Sequence, residues 1–344
     1  MYKTLKRPYF IAEISANHCG NFIHAKKLIK CAKKNGADAV KLQTYTANSM
    51  TIKSNKKYFQ INEGLWKGYN LWDLYDEAHT PISWHKKLFD YAHQLGITIF
   101  STPFDETAVD LLEELNCPFY KIASLEMTDL TLIEKIAKTK KPIIMSTGTA
   151  NLDEIEMSYN YARKKGVNDI TLLYCVSKYP SKNSDFNINN IKILKEKFEC
   201  RIGFSDHSKD NNVAKTAVAA GAEVVEKHIA LENQVDGLDI DFSLKGDEIN
   251  IFRDSIDATY SLLGSKKFIR DKSELKSKLL RRSVFVSSDI RKGEYFTTSN
   301  IKRVRPGHGV DPKYYKLIMN RRSPFNFTKG DPITKRVLKS LKIK

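Results

Sequence analysis

The feature that most constrains the fold is an alternation of apolar, β-branched runs with amphipathic runs over the first three quarters of the chain. Strand-like runs are predicted at residues 9–15, 39–45, 97–102, 119–124, 142–147, 170–177, 201–206 and 224–228. Helical periodicity fills each interval and continues to residue 263. Eight strand–helix units favour an α/β fold of the (β/α)8 TIM barrel type, with a doubly wound sheet as the alternative.

A different kind of sequence follows the last helical run. Residues 265–280 are highly charged and are interpreted as a linker. They separate a barrel catalytic domain, residues 1–264, from a small β-rich domain, residues 281–344. Short strands are predicted in the small domain at 283–287, 301–304 and 333–338, between turns that contain glycine.

The net charge of +17 is concentrated at the C-terminal end. Residues 1–264 are neutral, residues 265–280 carry +4 and residues 281–344 carry +13. Such a domain is expected to meet something anionic: a substrate, the mouth of a partner subunit, or a polymer such as nucleic acid. The domain has no basic stripe interleaved with exposed aromatic residues, and this argues against a nucleic-acid-binding or scaffold protein.

The sequence shows no pattern typical of a membrane-spanning segment or of a disulfide framework. No uninterrupted apolar segment has membrane length and residues 1–6 show no signal-peptide core, so no membrane association and a cytoplasmic location are expected. The five cysteines form no CxxC pair, so neither a disulfide framework nor a zinc ribbon is indicated.

Two histidines close the last two predicted strands, in Gly203-Phe-Ser-Asp-His207 and Val224-Val-Glu-Lys-His228. Adjacent parallel strands would bring both imidazoles to one edge of the sheet, where they could hold a divalent cation that polarises a carbonyl. A lone histidine at a strand end is more often structural. The matched pair is what favours ligation.

Two lysines lie inside predicted apolar strands, at positions 41 and 121. A buried ammonium is costly unless an anion meets it, although a single strand lysine can also extend outward. Lys41 and Lys121 together, with serine and threonine hydroxyls at neighbouring strand ends, favour a phosphate or carboxylate site. Glu13 is interpreted as a working carboxylate because Asn17 and His18 follow it, the alternative being an ion-pair partner at the opposite end of the barrel.

Eight motifs together resemble the sialic acid synthase family, in order and over essentially the whole chain. They are Ile11-Ala-Glu-Ile-Ser-Ala-Asn-His18, Lys41-Leu-Gln-Thr44, Ser101-Thr-Pro-Phe104, Tyr120-Lys-Ile-Ala-Ser-Leu-Glu126, Met145-Ser-Thr-Gly148, Gly203-Phe-Ser-Asp-His207, Glu226-Lys-His228 and Val304-Arg-Pro-Gly307. The resemblance implies a (β/α)8 barrel followed by an antifreeze-like (SAF) domain. It also implies a homodimer in which each small domain caps the partner's barrel, and condensation of phosphoenolpyruvate with an N-acyl amino-sugar aldehyde, using Mn²⁺ or Mg²⁺.

The resemblance also assigns roles by position. His207 and His228 would hold the metal. Glu13, the carboxylate near the end of the first predicted strand, is our expected general acid/base beside it. The residues expected to bind phosphoenolpyruvate are Lys41, Gln43, Thr102, Lys121, Ser124, Ser146, Ser177 and Ser205. Those expected to contact the sugar are Glu126, Tyr179, Asp239 and Arg305 of the partner subunit.

Segments between the second and third predicted strands are similar to the pseudaminic branch of the family, among them Gly64-Leu-Trp66 and Leu71-Trp-Asp-Leu-Tyr-Asp-Glu-Ala78. The acceptor implied is 2,4-diacetamido-2,4,6-trideoxy-L-altrose, and its methyl group predicts an apolar patch in the pocket. Synthesis of N-acetylneuraminate or N,N'-diacetyllegionaminate is the alternative within the family. A class II aldolase would explain the barrel but not residues 281–344. The aromatic residues Trp66, Tyr69, Trp72 and Tyr75 are interpreted as core or packed loop rather than as a sugar platform.

Overall fold

The computed structural model describes residues 7–179, 181–265 and 267–343. Residues 1–6, on which the expectation of no signal peptide depends, lie outside the described residues, as do Pro180, Lys266 and Lys344. The chain divides into two compact units, Met1–Gly264 and Ser265–Lys344.

The first unit is a closed barrel of parallel strands. These are β1 (Tyr9–Glu13), β2 (Ala39–Thr44), β3 (Thr98–Pro103), β4 (Tyr120–Ile122), β5 (Ile143–Ser146), β6 (Ile170–Cys175), β7 (Arg201–Asp206) and β8 (Val224–Ala230). Each strand pairs with the next, and β8 pairs with β1. That pairing closes the sheet, so the predicted (β/α)8 barrel is confirmed and the doubly wound alternative is wrong.

Amphipathic helices alternate with the strands and bury one face against them. They are Phe22–Lys34, His85–Gln94, Glu106–Glu114, Leu130–Lys138, Leu152–Lys164, Asn189–Lys197, Asn211–Ala220 and Glu248–Leu263. Side-chain caps begin several of them: Asp105 accepts a hydrogen bond from Ala108 N–H at 2.9 Å, and Asn151 accepts one from Glu154 N–H at 3.0 Å. None of the helices in the described ranges has the length and apolarity needed to cross a bilayer.

The long connection between β2 and β3 contains two further helices, Ala47–Met50 and Leu71–Ala78. The connection after β8 carries the short strand β9 (Leu244–Lys245), which pairs with β8. Short 3₁₀ turns in this unit are Ser15–His18, Lys57–Phe59, Ile82–Trp84, Ser124–Glu126, Asn183–Asp185 and Ile240–Phe242.

The second unit has a small hydrophobic core of its own, formed by residues such as Val284, Phe296 and Ile333. Its strands β10 (Ser283–Val286) and β11 (Ile301–Val304) pair antiparallel. Its helical segments are Lys272–Lys276, Ser277–Leu280, Pro312–Tyr314, Tyr315–Ile318 and Lys335–Ser340. The described residues of segment 265–280 are all exposed.

The strand predicted at residues 333–338 is wrong. Ile333 N–H donates to Val284 O at 2.9 Å, but the chain then turns into the helix Lys335–Ser340. Val337 and Leu338 are buried one helical turn beyond Ile333. Ile333, Val337 and Leu338 are spaced with the period of a helix. The β-branched residues in this segment had suggested a strand instead.

Candidate active site

A cavity of about 340 Å³ lies at the carboxyl ends of the barrel strands, where catalytic groups of such barrels stand. Its volume falls within the range of small-molecule sites. Most of the residues expected from the sequence line it, namely Lys41, Gln43, Lys121, Ser124, Glu126, Ser146, Tyr179, Ser205, His207, His228 and Asp239.

The deep end of the cavity is built around the two strand lysines. Lys41 contacts a Glu13 carboxylate oxygen, lies 3.7 Å from Glu226 Oε2, and donates to Thr102 Oγ1 at 3.1 Å. Burial alone would lower the pKa of Lys41, but the Glu13 and Glu226 carboxylates outweigh it and hold that pKa above its usual value. Lys41 is therefore charged, with its charge balanced inside the protein.

Lys121 has weaker anionic partners than Lys41. Its ammonium donates to Ser146 Oγ at 2.6 Å and to Ile122 O at 3.2 Å, while Glu226 Oε1 is 3.9 Å away. Burial lowers the pKa of Lys121. An anion entering beside Ser146 would supply the compensation that the resting site lacks.

Glu226 stands between the two lysines and accepts a hydrogen bond from Ser205 Oγ at 3.1 Å. Burial would raise the pKa of Glu226, but the Lys121 and Lys41 ammonium groups outweigh it and hold that pKa below its ordinary value. The cavity thus contains an ionised carboxylate that the candidate list drawn from the sequence did not include.

Glu13 does not line the cavity. It is the register partner of Lys41 across β1 and β2, and its other oxygen accepts from Ser15 N–H at 2.8 Å. Thr102 likewise sits behind Lys41 rather than on the cavity wall. The structure thus places Glu13 and Thr102 as supports of Lys41.

Gly148 lets the loops after β4, β5 and β6 converge. A Cβ atom at this position would lie 2.2 Å from Ser177 Oγ and 2.8 Å from both Ser124 Oγ and Cys175 Sγ, so any other residue would displace these three side chains. Gly148 N–H donates to Ser124 Oγ at 3.1 Å. Ser177 lies just behind the cavity wall in this cluster, whereas Cys175 reaches the cavity itself.

His207 and His228 face each other at the upper part of the cavity, with ring centroids 5.5 Å apart. Burial, together with the neighbouring His228, lowers the pKa of His207 to about 3, so this ring is neutral. His207 Nδ1 lies 3.1 Å from Val176 O, which can only accept, so Nδ1 carries the proton and Nε2 keeps its lone pair. His228 Nδ1 is buried without a hydrogen bond and lies 3.5 Å from Asp239 Oδ2.

His18 is occupied elsewhere. Gly20 N–H donates to its Nδ1 at 3.1 Å, and its Nε2 bonds Thr80 Oγ1 at 3.2 Å. The imidazole also packs against Trp84, with ring centroids 5.5 Å apart. His18 is therefore a buried structural histidine, and its position next to Glu13 in sequence does not bring it into the cavity.

An apolar wall closes the other side of the cavity, and the connection between β2 and β3 supplies most of it. The wall residues from this connection are Met50, Ile61, Trp66, Leu71, Leu74, Tyr75 and Ala78. Trp66 Nε1 donates to Leu238 O at 3.1 Å, and its ring lies 5.5 Å from that of Tyr179. Trp66 and Tyr75 thus belong to a packed loop, as expected from the sequence, and that loop also lines the cavity.

Two carboxylates line the upper part of the cavity, Asp239 buried and Glu126 partly buried. Glu126 Oε2 has no hydrogen-bond partner among the described residues, and burial raises the pKa of Glu126. For Asp239, burial would raise the pKa, but the neighbouring His228 outweighs it, so the pKa of Asp239 is lowered. Arg305 is an exposed residue of the second unit, just after β11.

The NeuB family profile matches residues 28–268, and the SAF domain profile matches residues 281–338. The chain belongs to the NeuB family. Its second unit is a SAF domain, as the resemblance implied.

Curated relatives within the NeuB family match almost end to end. The chain is 41% identical to the pseudaminic acid synthase of Campylobacter jejuni serotype O:2 over 96% of this chain and 97% of that protein. It is 42% identical to the pseudaminic acid synthase of Helicobacter pylori, over 93% and 94%. Among solved structures, the N-acetylneuraminic acid synthetase of Leptospira borgpetersenii superposes with a TM-score of 0.71 at 31% identity, covering 80% of this chain and 94% of that chain.

Proposed function

We propose that the protein is a pseudaminic acid synthase, which condenses phosphoenolpyruvate with 2,4-diacetamido-2,4,6-trideoxy-L-altrose and releases phosphate. The main structural support is a single cavity, which has two buried lysines and several hydroxyl groups at its deep end and a pair of histidines at its mouth. The pseudaminic acid synthases that are 41% and 42% identical to the chain support the choice of product.

Phosphoenolpyruvate would occupy the deep end. Lys121, Ser146 and Ser124 offer donors to one anionic group, and Lys41, Gln43 and Ser205 offer donors to the other. Charge-assisted hydrogen bonds of this kind are the strong ones in a buried site. Thr102, Glu13 and Ser177 would act from behind, by fixing the side chains that touch the substrate.

His207 and His228 would hold a divalent metal, Mn²⁺ or Mg²⁺. The donors fit: a neutral His207 with a free Nε2 lone pair, and a His228 nitrogen without a hydrogen bond. Within the described ranges, no group of three or more His, Cys, Asp or Glu residues is arranged to hold a metal ion. The remaining ligands would then be water or substrate, which leaves open positions, as catalytic sites do. A cation bound there would polarise the sugar aldehyde.

The chain's own residues would orient the reaction. C3 of phosphoenolpyruvate forms the new bond to the aldehyde carbon, whose oxygen takes up a proton. Water then adds at C2 with loss of its proton, and cleavage of the C2–O bond releases phosphate. Glu226 is ionised, buried and in contact with both lysines, so it is placed to accept the proton from that water.

The sugar would lie between the histidine pair and the apolar wall. Glu126, Tyr179 and Asp239 would contact its hydroxyl and amide groups, and its methyl group would meet the wall, consistent with the apolar patch implied by a 6-deoxy sugar. Arg305 of the partner subunit would complete the site in a cytoplasmic homodimer with exchanged SAF domains. The domain limits proposed are residues 1–264 for the barrel, 265–280 for the linker and 281–344 for the cap.

The test is a phosphate-release assay with three candidate aldehydes: the diacetamido-trideoxy-altrose, N-acetylmannosamine and the precursor of diacetyllegionaminic acid. The altrose derivative should have the highest kcat/KM. A single methyl-for-hydroxyl difference discriminates by only about 1–3 kcal/mol. Polar contacts to the 4-acetamido group must supply the rest, because the wrong sugar leaves them unpaired. Equal or reversed constants would assign the protein to another branch of the family.

A further inference from the structure

Asp206 and Lys227 form an ion pair behind the histidines. They are register partners across β7 and β8, with 3.1 Å between Asp206 Oδ2 and Lys227 Nζ, and their side chains are 0% and 2% exposed. Their sequence neighbours Ser205, His207, Glu226 and His228 line the cavity. Because side chains alternate along a strand, Asp206 and Lys227 lie on the outer face of the sheet.

The pair holds both backbone groups of Ser208, the residue that follows His207. Asp206 Oδ1 accepts a hydrogen bond from Ser208 N–H at 2.9 Å, and the Lys227 ammonium donates to Ser208 O. On the other side, Ser181 N–H donates to His207 O at 3.1 Å. The backbone at the end of β7 is therefore fixed relative to β8 on one side and to the loop after β6 on the other.

Stability alone does not explain this pair. Desolvation of two charges cancels most of their attraction, and well-packed apolar replacements of a buried pair are often neutral or stabilising. Neither side chain reaches the cavity, so neither can touch substrate. What the two share is position: Asp206 immediately precedes His207, and Lys227 immediately precedes His228.

We propose that Asp206 and Lys227 are positioning residues, which hold His207 and His228 at the separation that one shared divalent cation requires. This inference rests on the metal site of the proposed function. Contacts behind a ligand set its orientation and commonly change metal affinity by about 10- to 100-fold when they are lost.

The experiment uses the full-length Asp206→Leu/Lys227→Met double variant, which replaces both charged side chains by apolar ones and so leaves no unpaired buried charge. Mn²⁺ binding is measured by calorimetry on metal-free protein, and thermal unfolding is followed without metal. The expected result is a folded protein whose Tm is moderately lower, because Ser208 N–H and Ser208 O lose their side-chain partners, and a Mn²⁺ Kd weakened by about 10- to 100-fold. The KM for phosphoenolpyruvate should stay within about threefold of native, because the deep end is untouched. A folded double variant with native Mn²⁺ affinity overturns the inference.

Arg253→Met is the matched control, because Arg253 is a buried cation that binds Asp38 and Pro8 O at the opposite end of the barrel. It should lower Tm and leave the Mn²⁺ Kd unchanged; an equal loss of affinity would reduce the effect to general destabilisation and overturn the inference. If the double variant does not fold, Asp206→Asn decides, since it keeps the side-chain size and removes the charge that holds Lys227: weakened Mn²⁺ binding supports positioning by the ion pair, and native binding overturns it. Absence of Mn²⁺ binding by the native protein would instead refute the proposed metal site.

Discussion

Lys41 and Lys121 differ in how their charges are balanced, although both are buried within barrel strands. Lys41 contacts Glu13 directly and has Glu226 at 3.7 Å, whereas Lys121 bonds neutral oxygens and has Glu226 at 3.9 Å. The pKa of Lys41 is accordingly raised and that of Lys121 lowered. Of the two, Lys121 is the one whose charged form gains most from an incoming phosphate or carboxylate.

The lowered pKa of Lys121 predicts how the affinity for phosphoenolpyruvate falls at alkaline pH, in the alkaline limb of the pH profile. Lys121 is charged below its folded-state pKa, and that pKa is depressed, so affinity for phosphoenolpyruvate should fall with rising pH earlier than an ordinary lysine would allow. Lys121→Met should raise the KM for phosphoenolpyruvate by about 10- to 100-fold and remove this limb. Steady-state kinetics across pH make the measurement, with Lys195→Met on the outer surface as control. An unchanged limb in Lys121→Met would assign it to another group.

The different positions of Glu226 and Glu13 predict different kinetic defects when each is replaced by glutamine. Glu226 lines the cavity between the lysines, so Glu226→Gln should lower kcat by about 10²- to 10⁴-fold. Glu13 contacts Lys41 from behind, so Glu13→Gln should act mainly on the KM for phosphoenolpyruvate. The general acid/base role expected for Glu13 from the sequence predicts the reverse. A large kcat loss in Glu13→Gln with native KM would support that role and contradict the assignment to Glu226.

At the scale of elements, the sequence predicted the barrel because each unit carries its own signal. A strand buried on both faces gives a continuous apolar run, and the helix after it gives an apolar stripe. Polar residues at strand ends were therefore identifiable as site candidates. Distances between strands were not, and Glu226 was given no role from the sequence because nothing local shows that its neighbours in space are Lys41 and Lys121. The contribution of the connection from β2 to β3 to the cavity wall was not predictable either, because Trp66 contacts partners such as Leu238 that are distant in sequence.

A substitution in the connection between β2 and β3 should impair binding of the sugar only. Trp66→Phe keeps a ring but loses the indole N–H bond to Leu238 O, worth about 0.5–1.5 kcal/mol. The KM for the sugar should rise by about 2- to 10-fold. The KM for phosphoenolpyruvate should not change, because its expected ligands lie on other strands. Trp84→Phe is the control, since Trp84 packs against His18 and Phe22 and does not line the cavity. A rise in both KM values would contradict the proposal that phosphoenolpyruvate and the sugar occupy separate parts of the cavity.

At the scale of the whole molecule, the charge distribution is explained if the SAF domain serves an anionic site. The barrel is neutral overall, whereas residues 281–344 carry +13. Each barrel would hold the negatively charged phosphoenolpyruvate and release phosphate, so a basic cap favours capture of substrate by long-range attraction. In the proposed homodimer, the SAF domain of each chain would cover the barrel of the other chain.

Complementation between two defective chains tests the exchanged cap. Glu226→Gln disables the barrel, and Arg305→Ala disables the cap. In a mixed dimer with exchanged caps, the barrel of the Arg305→Ala chain receives an intact Arg305 from its partner, so one site of two is complete. Random mixing in equal amounts should then restore about one quarter of the native sites. Phosphate release is measured after subunit exchange has been verified by mass spectrometry of differently tagged chains. Mixing Glu226→Gln with Lys121→Met provides the control, because both lesions lie in the barrel and no mixed dimer has a complete site. If Arg305 acts within its own chain, the first mixture will be as inactive as the second.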